Sequence, residues 1–151
     1  MNLIAPLVTP DTTLLDISLT SKKKLFEHAA DLFARTYGLK ASDIFTSLFE
    51  RERLGSTALG HGIAIPHGRI KGLKDACGAF YRLGNPLEFD APDNQPVSLC
   101  FILLVPKDAN ERHLQILGEL AQLFGDEAMR ARMLGAATPP DLIALLKSWS
   151  S

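Results

Sequence analysis

The order of apolar and polar residues divides the chain into alternating strands and helices. Leu14-Leu15-Asp16-Ile17 reads as a short strand. From Ser21, a natural N-cap, the spacing of Leu25, Ala29, Leu32, Phe33 and Tyr37 predicts a helix that stops at Gly38. A second helix carries Ile44, Leu48 and Phe49 from a cap at Ser42 or Asp43 and ends at Gly55. Residues 56–69 change character. Glycines at 55, 60, 62 and 68 surround Ile63-Ala64-Ile65-Pro66-His67, which predicts a short strand cut off at Pro66, because proline has no N–H for the ladder. Strands follow over 76–83 and, as a small extension, 87–89. Residues 97–105 are almost continuously apolar, as in a central strand buried on both faces. Asp108 or Asn110 then caps a helix with Leu114, Leu117, Ala121 and Phe124 on its apolar face, and two further helices span 126–134 and 139–149. No internal repeat, low-complexity stretch or linker interrupts this order. The expectation is one domain over 1–151, a layered α/β sandwich.

Composition narrows the function. Of the 151 residues, 46% are hydrophobic and 22% charged, too apolar for disorder. Sixteen Lys and Arg against seventeen Asp and Glu give a net charge of −1 with no long block of one sign, which argues against nucleic acid as a partner. The first ten residues lack a basic stretch and are broken by Pro6 and Pro10, unlike a signal peptide, and no apolar run approaches the ~20 residues of a spanning helix. A cytoplasmic protein without membrane insertion is expected. Cys77 and Cys100 read as buried reduced thiols.

Chemistry concentrates on few side chains. Of the four histidines, His28 lies mid-helix in a boundary position. His67 sits between Pro66 and Gly68 at the expected end of a strand, where α/β sheets place ligand sites. The neighbouring glycines leave room for a partner protein and allow positive φ. A purely structural histidine at a strand end fits the same position. His113 falls near the third position of its helix, about 100° from Leu114, and reads either as an ordinary first-turn polar residue or as part of an anion site at the positive helix end. Arg51 and Arg53, two residues apart, point different ways, so only one serves a shared site; both also fit a solvated helix end with Glu50 and Glu52. A neutral imidazole is a nucleophile at cellular pH, and a second imidazole, a guanidinium and a helix start suit the charge of a phosphoryl group in transfer. No G-x-x-x-x-G-K-[ST] loop or kinase signature is present, so nucleotide is not the expected phosphate source.

The run Arg51-Glu52-Arg53-Leu54-Gly55-Ser56-Thr57, followed by Gly60-His61-Gly62-Ile63-Ala64-Ile65-Pro66-His67-Gly68, resembles the type-2 enzyme IIA domains of the bacterial phosphoenolpyruvate phosphotransferase system. The resemblance extends from about Leu14 to the last helix. It implies a mixed β-sheet sandwiched by helices, the mannitol/fructose-type fold. Ser21-Lys22-Lys23-Lys24, the stretch from Pro86 to Val97 and Leu103-Leu104-Val105-Pro106 are most similar to nitrogen-regulatory members. The resemblance implies that His67 accepts a phosphoryl group on Nε2 from an HPr-like phosphohistidine carrier protein. It implies that His113 and Arg51 contact that group, with Arg53, Ser56, Thr57 and His61 as auxiliary positions. It also implies regulated partners such as potassium transporters or sensor kinases, and neither cofactor nor metal. His61 stands where many members carry asparagine and is expected to tune the lifetime of the phosphohistidine; Ser98 stands where an acid is frequent. Three readings remain beside this one. A sugar-specific enzyme IIA would phosphorylate identically. A binding module would not need His67. A zinc enzyme using His61, His67 and His113 would lack the compact ligand signature such sites carry.

Overall fold

The computed structural model describes residues 2–149. Its elements are β1 (Thr13–Ile17), α1 (Lys22–Tyr37), α2 (Ala41–Leu54), β2 (Ala58–Gly60), β3 (Ile63–Ala64), β4 (His67–Ile70), β5 (Cys77–Leu87), β6 (Val97–Pro106), α3 (Glu111–Gly125), α4 (Glu127–Gly135) and α5 (Pro139–Ser148), preceded by two 3-10 turns at Ala5–Leu7 and Pro10–Thr12. The six strands form one mixed sheet in the order β1-β5-β6-β3-β2, with β4 also paired to β6. Antiparallel β5 and β6 make its centre; β1 runs parallel to β5, β3 and β4 run parallel to β6, and β2 pairs antiparallel with β3.

Helices cover both faces. Leu25, Phe26 and Phe33 of α1 with Ile44 and Leu48 of α2 pack on Ala64, Cys100, Ile102 and Leu104 of the sheet. On the opposite face Ile116, Leu120 and Phe124 of α3, Met133 of α4 and Leu142 of α5 cover Ile63, Ile65, Phe101 and Leu103. Residues from Leu99 to Leu104 therefore bury both parities of β6. Each such side chain contributes ~1.5–3 kcal/mol of transfer free energy, so β6 is the anchor of both cores. Both cysteines are buried and free, and burial pushes the Cys77 thiol up to about 12.

Sequence expectations and structure part company at identifiable places. Ser21 caps α1, accepting from Lys24 N–H, and Gly38 closes it with φ 68°. At α2 the N-cap is Lys40, without a side-chain bond; Ser42 and Asp43 lie inside the helix, Asp43 in the first turn where its charge suits the dipole. The two pieces predicted over 76–89 form one strand, β5, whose pairing with β6 shifts register between Arg82 and Leu87. The buried face of α3 is Ile116, Leu120, Leu123 and Phe124, while Leu114 is 65% exposed.

One buried cation organises the far end of the sheet. Arg82 on β5 grips Asp16 through Nε and Nη2, both at 2.9 Å, and its Nη1 donates to the carbonyls of Met133, Leu134 and Ala136 at 3.1, 3.2 and 2.6 Å. Those carbonyls lie at the end of α4, where intrahelical donors run out.

Candidate functional site

The site begins at an interruption in a strand. Pro66 cannot donate to a ladder, yet the register against β6 is unchanged across it: Ile63 faces Leu99 and His67 faces Leu103. The strand predicted to end at Pro66 thus resumes at once as β4, and His67 opens it. Between the two pieces, Ile65 directs its N–H to the Thr57 carbonyl (3.1 Å), away from β6. The Ile65 carbonyl takes the Nδ1–H of His67 at 2.9 Å. A carbonyl only accepts, so Nδ1 holds the proton and the Nε2 lone pair is free.

The adjacent glycine is needed for space. Gly68 has no positive φ; a Cβ there would come within 2.5 Å of Ser47 Oγ. Ser47 Oγ accepts from Arg69 N–H at 2.9 Å and donates to the Arg69 carbonyl at 3.0 Å, so α2 is fastened to the β4 backbone. One turn later on the same face α2 presents Arg51, whose Nη1 donates to the Gly55 carbonyl at 2.9 Å.

From the other side comes α3. Asn110 is its N-cap, the side chain accepting from Arg112 N–H at 3.0 Å, and the Asn110 N–H donates to His113 Nδ1 at 2.9 Å. The imidazole fills the reciprocal role that Glu or Gln takes in a common capping box. It also fixes a tautomer: with Nδ1 accepting, the proton of the neutral ring sits on Nε2. His113 therefore offers a donor where His67 offers a lone pair.

His67, Arg51 and His113 line one cleft of about 490 Å³, together with Ser47, Arg69 and an apolar wall that includes Leu54, Leu103 and Leu114. Leu54 is 85% exposed. The structure does not bring the other candidates to this cleft. Arg53 is exposed and faces Glu50 at 3.5 Å. His61 is exposed at the tip of the β2–β3 turn, with φ 56° between Gly60 at 92° and Gly62 at 77°, and its N–H donates to Asp93. Asparagine tolerates that left-handed position better than histidine does. Ser56 donates to the Phe89 carbonyl, and Thr57 hydrogen-bonds Glu52. With His61 apart from His67 and His113, the three-histidine zinc set is not assembled. Glu52, Ser47 and the Ile65 carbonyl support the site without a role in it having been read for them in the sequence, whereas Asn110 was expected only as a helix cap. Only the Asn110-x-x-His113 spacing carried a local signal.

Partial burial lowers the pKa of His67 from its ordinary 6.5; the Ile65 carbonyl opposes this, Arg51 and Arg69 add to it, and Glu52 pulls the other way. His28, whose Nδ1 meets the Tyr81 hydroxyl at 2.7 Å, is likewise lowered, chiefly by burial and then by Arg35. In both cases the unfolded chain binds the proton more readily. Stability is then fully present above pH 6.5 and is lost as pH falls from 6.5 through the folded values. The lowered carboxylates Asp16 and Asp93 respond only below 3.8. Urea unfolding at pH 7.5 and 5 should show weaker folding at the acid end, and a His28→Gln/His67→Gln double variant should show a smaller drop. An equal drop in that variant would remove the histidines as its cause.

Comparison with known proteins gives the family. Residues 6–149 match the family described as "Phosphoenolpyruvate-dependent sugar phosphotransferase system, EIIA 2". The chain is similar to a protein called "Nitrogen regulatory protein" from Pseudomonas aeruginosa, 40% identical over 141 residues, 93% of this chain and 92% of that one. Among solved structures, the nitrogen regulatory protein IIA-Ntr from Neisseria meningitidis superposes with a TM-score of 0.91 at 46% identity, covering 96% of this chain and 99% of that one. IIA mannitol from Escherichia coli shares the fold at a TM-score of 0.77 and 20% identity, covering 92% and 98%. The chain belongs to the type-2 enzyme IIA family of the phosphoenolpyruvate-dependent phosphotransferase system.

Proposed function

We propose that this protein is a nitrogen-regulatory enzyme IIA that takes a phosphoryl group on His67 Nε2 from a phosphohistidine carrier protein. The phosphorylation state is then reported to regulated proteins, of which potassium transporters and sensor kinases are the expected kinds. The observation that carries the reading is the pair of complementary tautomers at one cleft, a free Nε2 lone pair on His67 and an Nε2–H on His113. Family membership and similarity to nitrogen regulatory proteins along nearly the whole chain support it over a sugar-specific role, and support reading residues 1–151 as one such unit.

The step needs neither water nor nucleotide. Nε2 of neutral His67 attacks phosphorus; a new N–P bond forms as the carrier's N–P bond breaks, and that electron pair returns to the carrier's ring nitrogen. Positive charge spreads to Nδ1–H, which the Ile65 carbonyl holds. Arg51, Arg69 and His113 flank the ~−1.5 to −2 charges that arrive. The apolar wall with Leu54 and Leu114 gives the carrier a dry surface to dock on.

Incubation with phosphoenolpyruvate, enzyme I and carrier protein should place an acid-labile phosphate on His67, located by mass spectrometry. His113→Ala should still be labelled but pass phosphate on about 10²-fold more slowly, the scale for losing one positioned donor. Phosphate on another residue would refute the assignment. Rapid delivery to a sugar-specific enzyme IIB would favour the sugar-specific role.

A further inference from the structure

We propose that Glu52 is a positioning residue for transfer at His67: its buried carboxylate ties the turn after α2 to the two groups that meet the phosphoryl, the His67 ring and the Arg51 guanidinium. The inference rests on the phosphoryl reading of His67 above.

Glu52 is in an unfavourable place for an anion. It lies in the last turn of α2, where the helix dipole repels negative charge, and its side chain is 5% exposed. Three donors hold it there. Oε2 accepts from Lys22 Nζ and from Thr57 N–H, each at 3.0 Å, and Oε1 accepts from Thr57 Oγ1 at 2.6 Å. Lys22 in turn lies 4.7 Å from the centre of the Phe89 ring.

Two short paths lead from this carboxylate to the site. In one, the Thr57 carbonyl receives Ile65 N–H at 3.1 Å, and the Ile65 carbonyl receives His67 Nδ1–H at 2.9 Å. Every link is a hydrogen bond or a single residue's own peptide. In the other, the turn that Thr57 pins contains Gly55, whose N–H donates to the Glu52 carbonyl at 3.2 Å and whose carbonyl holds Arg51 at 2.9 Å. Glu52 is thus linked through the Thr57 turn to the carbonyls that hold the His67 ring and the Arg51 guanidinium. Its charge also acts on the ring through space, in the direction that makes His67 more basic, against Arg51 and Arg69. The remaining charged or titratable groups on the cleft wall are Glu50 and His113. A carboxylate that merely closed a helix would leave the His67 tautomer and titration unmoved when it is replaced; one that positions the ring would not.

The test is Glu52→Gln in the full chain, with the imidazoles followed by long-range ¹H–¹⁵N spectra across pH and phosphoryl uptake measured from phosphorylated carrier protein. The His67 titration should move to lower pH and its Nδ1-protonated tautomer should lose population. Uptake should fall about tenfold, by analogy with the low end of what losing an outer-shell partner costs a metal-ligating histidine. The His28 ring should be unchanged. A folded Glu52→Gln protein whose His67 titration, tautomer and uptake match the parent overturns the proposal. If Glu52→Gln does not fold, Thr57→Val and Thr57→Ser decide it: valine should disturb the His67 ring and serine restore it, and a valine variant with an undisturbed ring counts against Glu52. Absence of phosphate on His67 in the parent protein would remove the phosphoryl reading instead. The two failures are therefore distinguishable.

Discussion

His67→Ala should reduce labelling from a phosphorylated carrier to background while leaving thermal unfolding nearly unchanged. The loss is total because no second nucleophile replaces the ring: His113 has its Nδ1 occupied by Asn110 N–H, and its Nε2 carries the proton. The small stability effect follows from what His67 does for the fold. It is half-buried and makes one hydrogen bond, to a backbone carbonyl at the cleft edge where water can substitute. That exchange costs ~0.5–1.5 kcal/mol, a few degrees in melting temperature for a chain of this size. His61→Ala, outside the cleft, should label as the parent does. Calorimetry and a labelling gel read both effects, and persistent label in His67→Ala would show that the acceptor lies elsewhere.

Arg82→Met should destabilise the protein by about 3 kcal/mol, or roughly 10 °C. The methionine fills much of the same space but strands the carbonyls of Met133, Leu134 and Ala136 at the end of α4, to which no backbone N–H donates among the described residues. The other half of the interaction is worth far less. Asp16 is largely exposed, so Asp16→Asn should cost no more than a typical surface ion pair, a small fraction of the Arg82→Met loss. Arg82 holds its pKa down through the hydrogen bond, but in a setting that water screens. Equal losses in the two variants, measured by urea unfolding, would mean that the ion pair and not the helix end carries the effect.

Local signals anticipated the parts of the molecule that local chemistry decides. Ser21, Gly38 and Asn110 close their helices as their types suggest, and the apolar run at 97–105 is the doubly buried strand its composition implies. His67 stood out because of the glycines around it, yet Gly68 is there so that Ser47 can approach, and the left-handed glycines are 60 and 62. The strand resumes after Pro66 because its partner is β6, a pairing too distant in sequence for the proline to reveal. Leu114 follows the helical period but faces the cleft, since periodicity cannot say where a covering layer stops. Glu50 and Glu52 look alike in sequence. One is exposed beside Arg53 and the other is buried against Lys22 and Thr57, a difference made wholly by tertiary contact.

The contact between Ser47 and Gly68 gives the two sides of the cleft a common origin of measurement. The backbone of Arg51 is counted from it along a helix and that of His67 along a strand, and the carbonyls of Gly55 and Ile65 then hold their side chains. Adding or deleting one residue between 47 and 51 would swing the guanidinium by about 100° around the helix axis and out of line with the imidazole. A length change in the turn between α4 and α5 would leave that spacing intact. Chain length is thus rigidly specified over that four-residue interval, which spans the cleft, and loosely specified in the α4–α5 turn.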